Sequence, residues 1–124
     1  MQSREQEYAT KIYPQIEKYL TDKPEADQKK YGSMAHKLPI LIRTAGLAQA
    51  ISFVESRGLP PHQDLLTHLA TIILNENSDA FSKRCRDAEL TEYMALTEQT
   101  LLALSWYKRF AQSVLNVDIT EGED

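Results

Sequence analysis

Ile40-Leu41-Ile42-Arg43-Thr44-Ala45-Gly46-Leu47-Ala48-Gln49-Ala50-Ile51-Ser52-Phe53-Val54 decides the fold. A helix drawn through this stretch is apolar on nearly every side, and such a helix belongs in the centre of a bundle. Pro39 stands where the helix would start, and Gly58 before Leu59-Pro60-Pro61 reads as its left-handed cap and stop. The helix is therefore expected from Ile40 to about Arg57.

On the N-terminal side, Tyr8, Ile12, Ile16, Tyr19 and Leu20 recur at helical steps and form one apolar stripe, which Pro14 interrupts with an expected kink or local loss of hydrogen bonding. Thr21-Asp22-Lys23-Pro24 ends that helix. A second, from about Glu25 to His36, turns Tyr31, Met34, Ala35 and Leu38 inward, and Gly32 permits close packing at a cost of about 1 kcal/mol relative to alanine. On the C-terminal side, a fourth helix is expected from about His62 to Leu74, with Leu65, Leu66, Leu69, Ile72 and Ile73 inward. A short fifth spans about Asp79 to Arg86, with Ser78 as N-cap and Phe81 and Cys85 as an i, i+4 pair. The last runs from near Thr91 to about Asn116. No stretch alternates like a strand, and no repeat appears. The fold class is all-α: a compact bundle of about six helices, the third central, with no sheet.

With 124 residues the chain fits one domain large enough to hold its core without staples. The single cysteine excludes an internal disulfide. No apolar core follows the N-terminal Met1-Gln2-Ser3-Arg4-Glu5, and no apolar run approaches the roughly 20 residues of a membrane span. A cytoplasmic protein without a membrane partner is expected. The net charge of −4 lies in the tail, since Asp118, Glu121, Glu123 and Asp124 leave residues 1–117 with 14 basic and 14 acidic groups. The reading is one helical domain over 1–117 and an acidic, disordered tail over 118–124.

No catalytic or metal site assembles. His36, His62 and His68 belong to no metal-ligand spacing, and each reads as structural. Cys85 has cationic neighbours in Lys83-Arg84-Cys85-Arg86 but no histidine near it in sequence to serve as base. The four glycines form no phosphate-cradling loop. No cofactor and no enzymatic activity are expected.

The basic residues carry more information, because acids are missing around them. No acid lies between Asp27 and Glu55, where Lys29, Lys30, Lys37 and Arg43 fall; Lys30 and Lys37, seven apart, share a helix face with Ser33 between them. A second acid-free stretch, between Asp79 and Asp87, holds Lys83, Arg84 and Arg86, and a third, from Gln99 to Val117, holds Lys108 and Arg109. If these stretches converge they form a footprint for a phosphate backbone. No side-chain pattern for reading bases accompanies them.

Tyr31-Gly32-Ser33-Met34-Ala35-His36-Lys37-Leu38-Pro39-Ile40-Leu41-Ile42-Arg43-Thr44-Ala45-Gly46-Leu47-Ala48-Gln49-Ala50 resembles the signature block of the small subunit of type III-B CRISPR effector complexes, the Cmr complexes. That pattern has a K-L-P core, an apolar run, then G-L before a helix leading to an aromatic, here Phe53. Trp106-Tyr107-Lys108-Arg109-Phe110-Ala111 resembles the same family's C-terminal W-x-K-R-F-A motif. The resemblance implies a non-catalytic subunit of an RNA-guided ribonucleoprotein of antiviral defence. Copies of it stack beside the backbone filament that holds the CRISPR RNA, and they line the channel for target RNA. Base pairing with the guide supplies the sequence recognition, so the protein needs only backbone and shape contacts. Its partners would be the backbone and large subunits, further copies of itself, CRISPR RNA and target RNA. By this resemblance Lys37 and Arg43 face RNA, with Lys108 and Arg109 as a second pair; Lys30, Lys83, Arg84 and Arg86 rest on charge pattern alone. Leu38, Pro39, Ile40, Leu41, Gly46, Leu47, Phe53 and Trp106 read as core and helix-start residues, Trp106 with a polar partner for its N–H. The alternative reading is a free-standing helical DNA-binding or adaptor protein, although the central helix is too apolar to serve as a recognition helix.

Overall fold

The computed structural model describes residues 1–118. They form six helices and no strand: α1 (Arg4–Asp22), α2 (Glu25–Ala45), α3 (Leu47–Arg57), α4 (Pro60–Leu74), α5 (Ser78–Asp87) and α6 (Leu90–Ser113). The all-α class is thus observed directly. The expected acidic tail, apart from exposed Asp118, lies outside the described residues.

Local chemistry explains most of the boundaries. Ser3 and Gln6 close a capping box at the start of α1. The helix continues through Pro14, which lies on an exposed side where the carbonyl that proline leaves unpaired is open to solvent. At α5 the N-cap is Asn77, one residue before the expected Ser78; its Oδ1 accepts from the Ala80 N–H at 2.8 Å. The break expected at Pro39 falls instead at Gly46. Pro39 is buried inside α2, and one apolar stripe from Tyr31 through Met34, Leu38 and Ile42 runs unbroken past it. Packing of that stripe outweighs the lost donor. Gly46 adopts φ 92 and ψ 159, a conformation that side chains with a Cβ rarely enter, so the chain turns there. The first turn of α3 is then capped from another helix, as the Ala48 N–H donates to the Tyr93 hydroxyl at 3.0 Å.

Moving that boundary changes which helix is central. α2 packs against α1, α3, α4 and α6, while α4 touches all five others. The helix that begins at Leu47 instead turns an uncharged side with Ala48, Gln49, Ser52, Phe53 and Ser56 outward, leaving Phe53, expected in the core, 39% exposed; Ile40, likewise expected there, lies on α2 and is 54% exposed. Beyond α6 the chain reverses through Asn116 at φ 60 and lays Val117 across α2 at Gly32. A Cβ on Gly32 would stand 2.7 Å from the Val117 Cβ, so this crossing requires glycine. His36 Nε2, buried beneath, donates to the Val117 carbonyl at 3.1 Å.

Candidate nucleic-acid interface

The eight cations singled out in the sequence separate into two groups once their surroundings are known. Lys83 is held by Asp87 one turn later, and Arg84 reaches Glu92 on α6 at 2.7 Å. Arg86 donates to the Ser82 hydroxyl at 2.9 Å, and Ser82 in turn donates to Glu55 at 2.8 Å. The α5 stretch is therefore acid-free in sequence but not in space. The nearest acids stand just past its ends, on the next turn and on a neighbouring helix. Lys30, Lys37, Arg43, Lys108 and Arg109, by contrast, form neither an ion pair nor a side-chain hydrogen bond among the described residues. Arg43 and Arg109 are exposed, and Lys30, Lys37 and Lys108 are half-buried along their stems.

These five do not converge on one face. Lys37 and Arg43 now belong to the same helix, where six residues turn the chain by about 240°, so they project from different sides. Measured from Gly32, where Val117 crosses, Arg43 lies within about 20° and Lys30 and Lys37 within about 40° of the opposite side. Arg109 borders a shallow dent with Ser105, Trp106 and Glu5 of α1. The half-buried Trp106 stacks on Phe110 at 5.4 Å, and its buried Nε1–H has no partner among the described residues, contrary to the expected polar contact.

The other candidate groups are enclosed. Cys85 is buried, and burial, with Glu55 nearby, pushes its thiol up to about 12 against the weaker opposite pull of Arg86. Lys83 and Arg84 are instead paired with carboxylates, and only Arg86 still favours the thiolate. No group of three or more His, Cys, Asp and Glu side chains among the described residues is arranged to hold a metal ion. No described helix is long and apolar enough to cross a membrane.

One polar cluster escaped the sequence reading. Tyr19 of α1 donates to Asp64 Oδ2 of α4 at 2.9 Å, and Tyr31 of α2 donates to His68 Nδ1 of α4 at 2.6 Å. The hydroxyl of Tyr107, from α6, donates to Gln15 Oε1. Burial holds His68 down to about 4, opposed by Asp64, so its ring is neutral near pH 7. The partners lie 37 to 92 residues apart, and no local spacing announces them.

The model of the CRISPR-associated Cas_Cmr5 family matches residues 4–114. The chain belongs to the Cmr5 family. It is 37% identical over 115 residues to the CRISPR system Cmr subunit Cmr5 of Thermus thermophilus, covering 93% of this chain and 98% of that one. The crystal structure of a CRISPR-associated Cmr5 family protein from Thermus thermophilus superposes with a TM-score of 0.84 at 38% identity, over 92% of this chain and 98% of that one. The span matched by the Cmr5 family takes in α1 to α6 and all eight candidate cations, and stops before Val117 crosses Gly32. The two blocks that carried the resemblance lie in α2 running into α3 and near the end of α6. The fold brings together the elements that carry these blocks, because α2 and α6 make the most extensive helix–helix contact among the described residues.

Proposed function

We propose that this chain is the non-catalytic small subunit of a type III-B CRISPR (Cmr) effector complex of antiviral defence. In this reading several copies stack along the backbone filament, meet the backbone and large subunits, and contact guide or target RNA through phosphates. The observation that carries the RNA contact is that five of the eight candidate cations, Lys30, Lys37, Arg43, Lys108 and Arg109, have neither an ion pair nor a side-chain hydrogen bond among the described residues, on a domain whose 14 basic and 14 acidic groups over residues 1–117 balance only when these five are counted. A cation that has no carboxylate to leave gains the full benefit of neutralising a phosphate. The spread of these cations around the surface suits a domain that meets several things at once: one strand on one side, and another strand or a neighbouring copy on the other. One copy offers few contacts to any single strand, so the isolated chain should bind RNA weakly, and affinity should grow when copies present a continuous surface.

The test is the double variant Lys37→Glu/Arg43→Glu in a reconstituted complex. Helicity and melting should stay near those of the parent. Target uptake should weaken, with a shallower salt dependence and unchanged sequence preference. Normal assembly with parental affinity and salt slope would remove this pair from the RNA-facing surface. The non-catalytic reading is tested by assaying the purified chain for nuclease and nucleotide-cyclising activity. Activity that survives stringent purification and changes with point substitutions in this chain would overturn it.

A further inference from the structure

A cleft of about 190 Å³ opens between α1 and α4, lined by Gln15, Lys18, Tyr19, Asp22, Lys23, Asp64 and His68. It is smaller than the roughly 300–1,000 Å³ of a drug-sized pocket and has room for one planar ring system. Its lining is unusual for this molecule, because the polar groups there are held in fixed orientations by buried partners.

Those partners fix what the cleft presents. The Tyr31 hydroxyl is fully buried and has no other acceptor, so it donates to His68 Nδ1, and the neutral ring carries its proton on Nε2. That Nε2–H forms no bond among the described residues and is not sealed from solvent. One helical turn away, Asp64 takes the Tyr19 hydroxyl on Oδ2, and Lys23 stands 4.0 Å from the same oxygen. Oδ1 has no partner among the described residues. The cleft therefore offers a fixed N–H donor beside a fixed carboxylate acceptor. At its rim Lys18 stands 3.9 Å from Asp22, and Lys23 lies near Asp64, so each lysine is loosely matched and the rim has no net charge. Such a lining does not select a bare phosphate. It selects a neutral ring edge on which a carbonyl oxygen neighbours an N–H.

We propose that this cleft binds the amide edge, a carbonyl beside a ring N–H, of a uracil or guanine base, with His68 Nε2–H donating to the ring carbonyl and Asp64 Oδ1 accepting from the adjacent ring N–H. Cytosine and adenine present an amino group and a bare ring nitrogen in place of that pair, and satisfy it poorly. The base arrives either as a free nucleotide or as a residue turned out of a single strand, with the same edge chemistry in both cases. None of the five cations assigned to phosphates takes part, so this proposal and the function proposed above stand or fall separately.

The test uses the isolated full chain, with the ring ¹⁵N–¹H signals of His68 followed by NMR during titration with UMP, GMP, CMP and AMP. UMP and GMP should shift the His68 Nε2 resonance and bind on the order of tenfold more tightly than CMP or AMP. Asp64→Asn keeps an oxygen for Tyr19 and should retain parental melting while losing that preference; His68→Phe should abolish the binding. A short oligouridylate that reproduces the shift assigns the site to a strand's base, and a shift with UMP alone assigns it to a free nucleotide. Equal binding of all four nucleotides, which would signal phosphate on the rim lysines, or no His68 shift at millimolar concentrations, overturns the proposal.

Discussion

α2 and α5 each carry three of the candidate cations in a stretch without acids, and their surroundings differ completely. On α5 the stretch is short enough that acids just beyond it reach back: Asp87 takes Lys83 from the next turn, and Glu92 takes Arg84 from the adjoining helix. On α2 the positions one turn either side of Lys37 are Ser33 and Leu41, and those around Arg43 are Pro39 and Leu47, so no local carboxylate exists to meet them. Lys29 shows the rule from the other direction, standing 3.6 Å from Glu25 four residues before it. A run of cations thus stays unpaired only where the i ± 4 positions and the neighbouring helix also lack acids. Three of the five unpaired cations sit on α2, the helix with the most buried residues, so the proposed RNA contact and much of the core would share one element.

The comparison can be broken most severely from the buried side of α2. Tyr31→Ala removes a fully buried ring that touches Tyr19, Tyr107 and His68, and should cost about 4 kcal/mol in chemical denaturation. A loss under 1 kcal/mol would mean that α2 is not the structural centre described above.

Acid provides the next largest effect. His68 is neutral when folded down to about pH 4, whereas in the unfolded chain it takes up a proton near its ordinary 6.5. Between those values the unfolded state binds more protons, so the contribution is fully present above 6.5 and declines as pH falls toward 4. The loss should amount to roughly 3 kcal/mol. Melting curves across that window check it, and His68→Gln should flatten the dependence. An equal slope in parent and variant would show that other groups govern acid sensitivity.

Sharpening the contrast between the two cationic runs requires the assembled complex. Lys30→Ala/Lys37→Ala removes two cations from one side of α2, and should reduce the salt slope of RNA binding by about 1.4 if both meet one strand. Arg43→Ala, on the other side, should reduce it by about 0.7 only if RNA also runs there. The smallest effect is expected from Lys83→Ala/Arg84→Ala, which should leave the salt slope and the target affinity unchanged, since both cations already have carboxylate partners. A slope change equal to that of the α2 pair would erase the distinction between the runs.

The sequence by itself determined the all-α class, the number of helices and most of their ends. Those features follow from apolar spacing, capping side chains and the chain's few glycines, all of which act within a few residues. It also carried the two blocks on which the resemblance to the Cmr small subunit rests. Tertiary structure decided the rest, wherever a local rule met a distant partner. Pro39 should end a helix on local grounds, but a buried stripe on both sides of it keeps α2 intact, and the turn moves to Gly46. That shift put Lys37 and Arg43 on one helix and so on different sides of it. The pairing of Lys83 and Arg84, the closing of Gly32 beneath Val117, and the gathering of Tyr19, Tyr31, Asp64 and His68 all depend on contacts across helices or beyond a local window. Spacing along a chain fixes which side of a helix a residue occupies, and only packing fixes what that side meets.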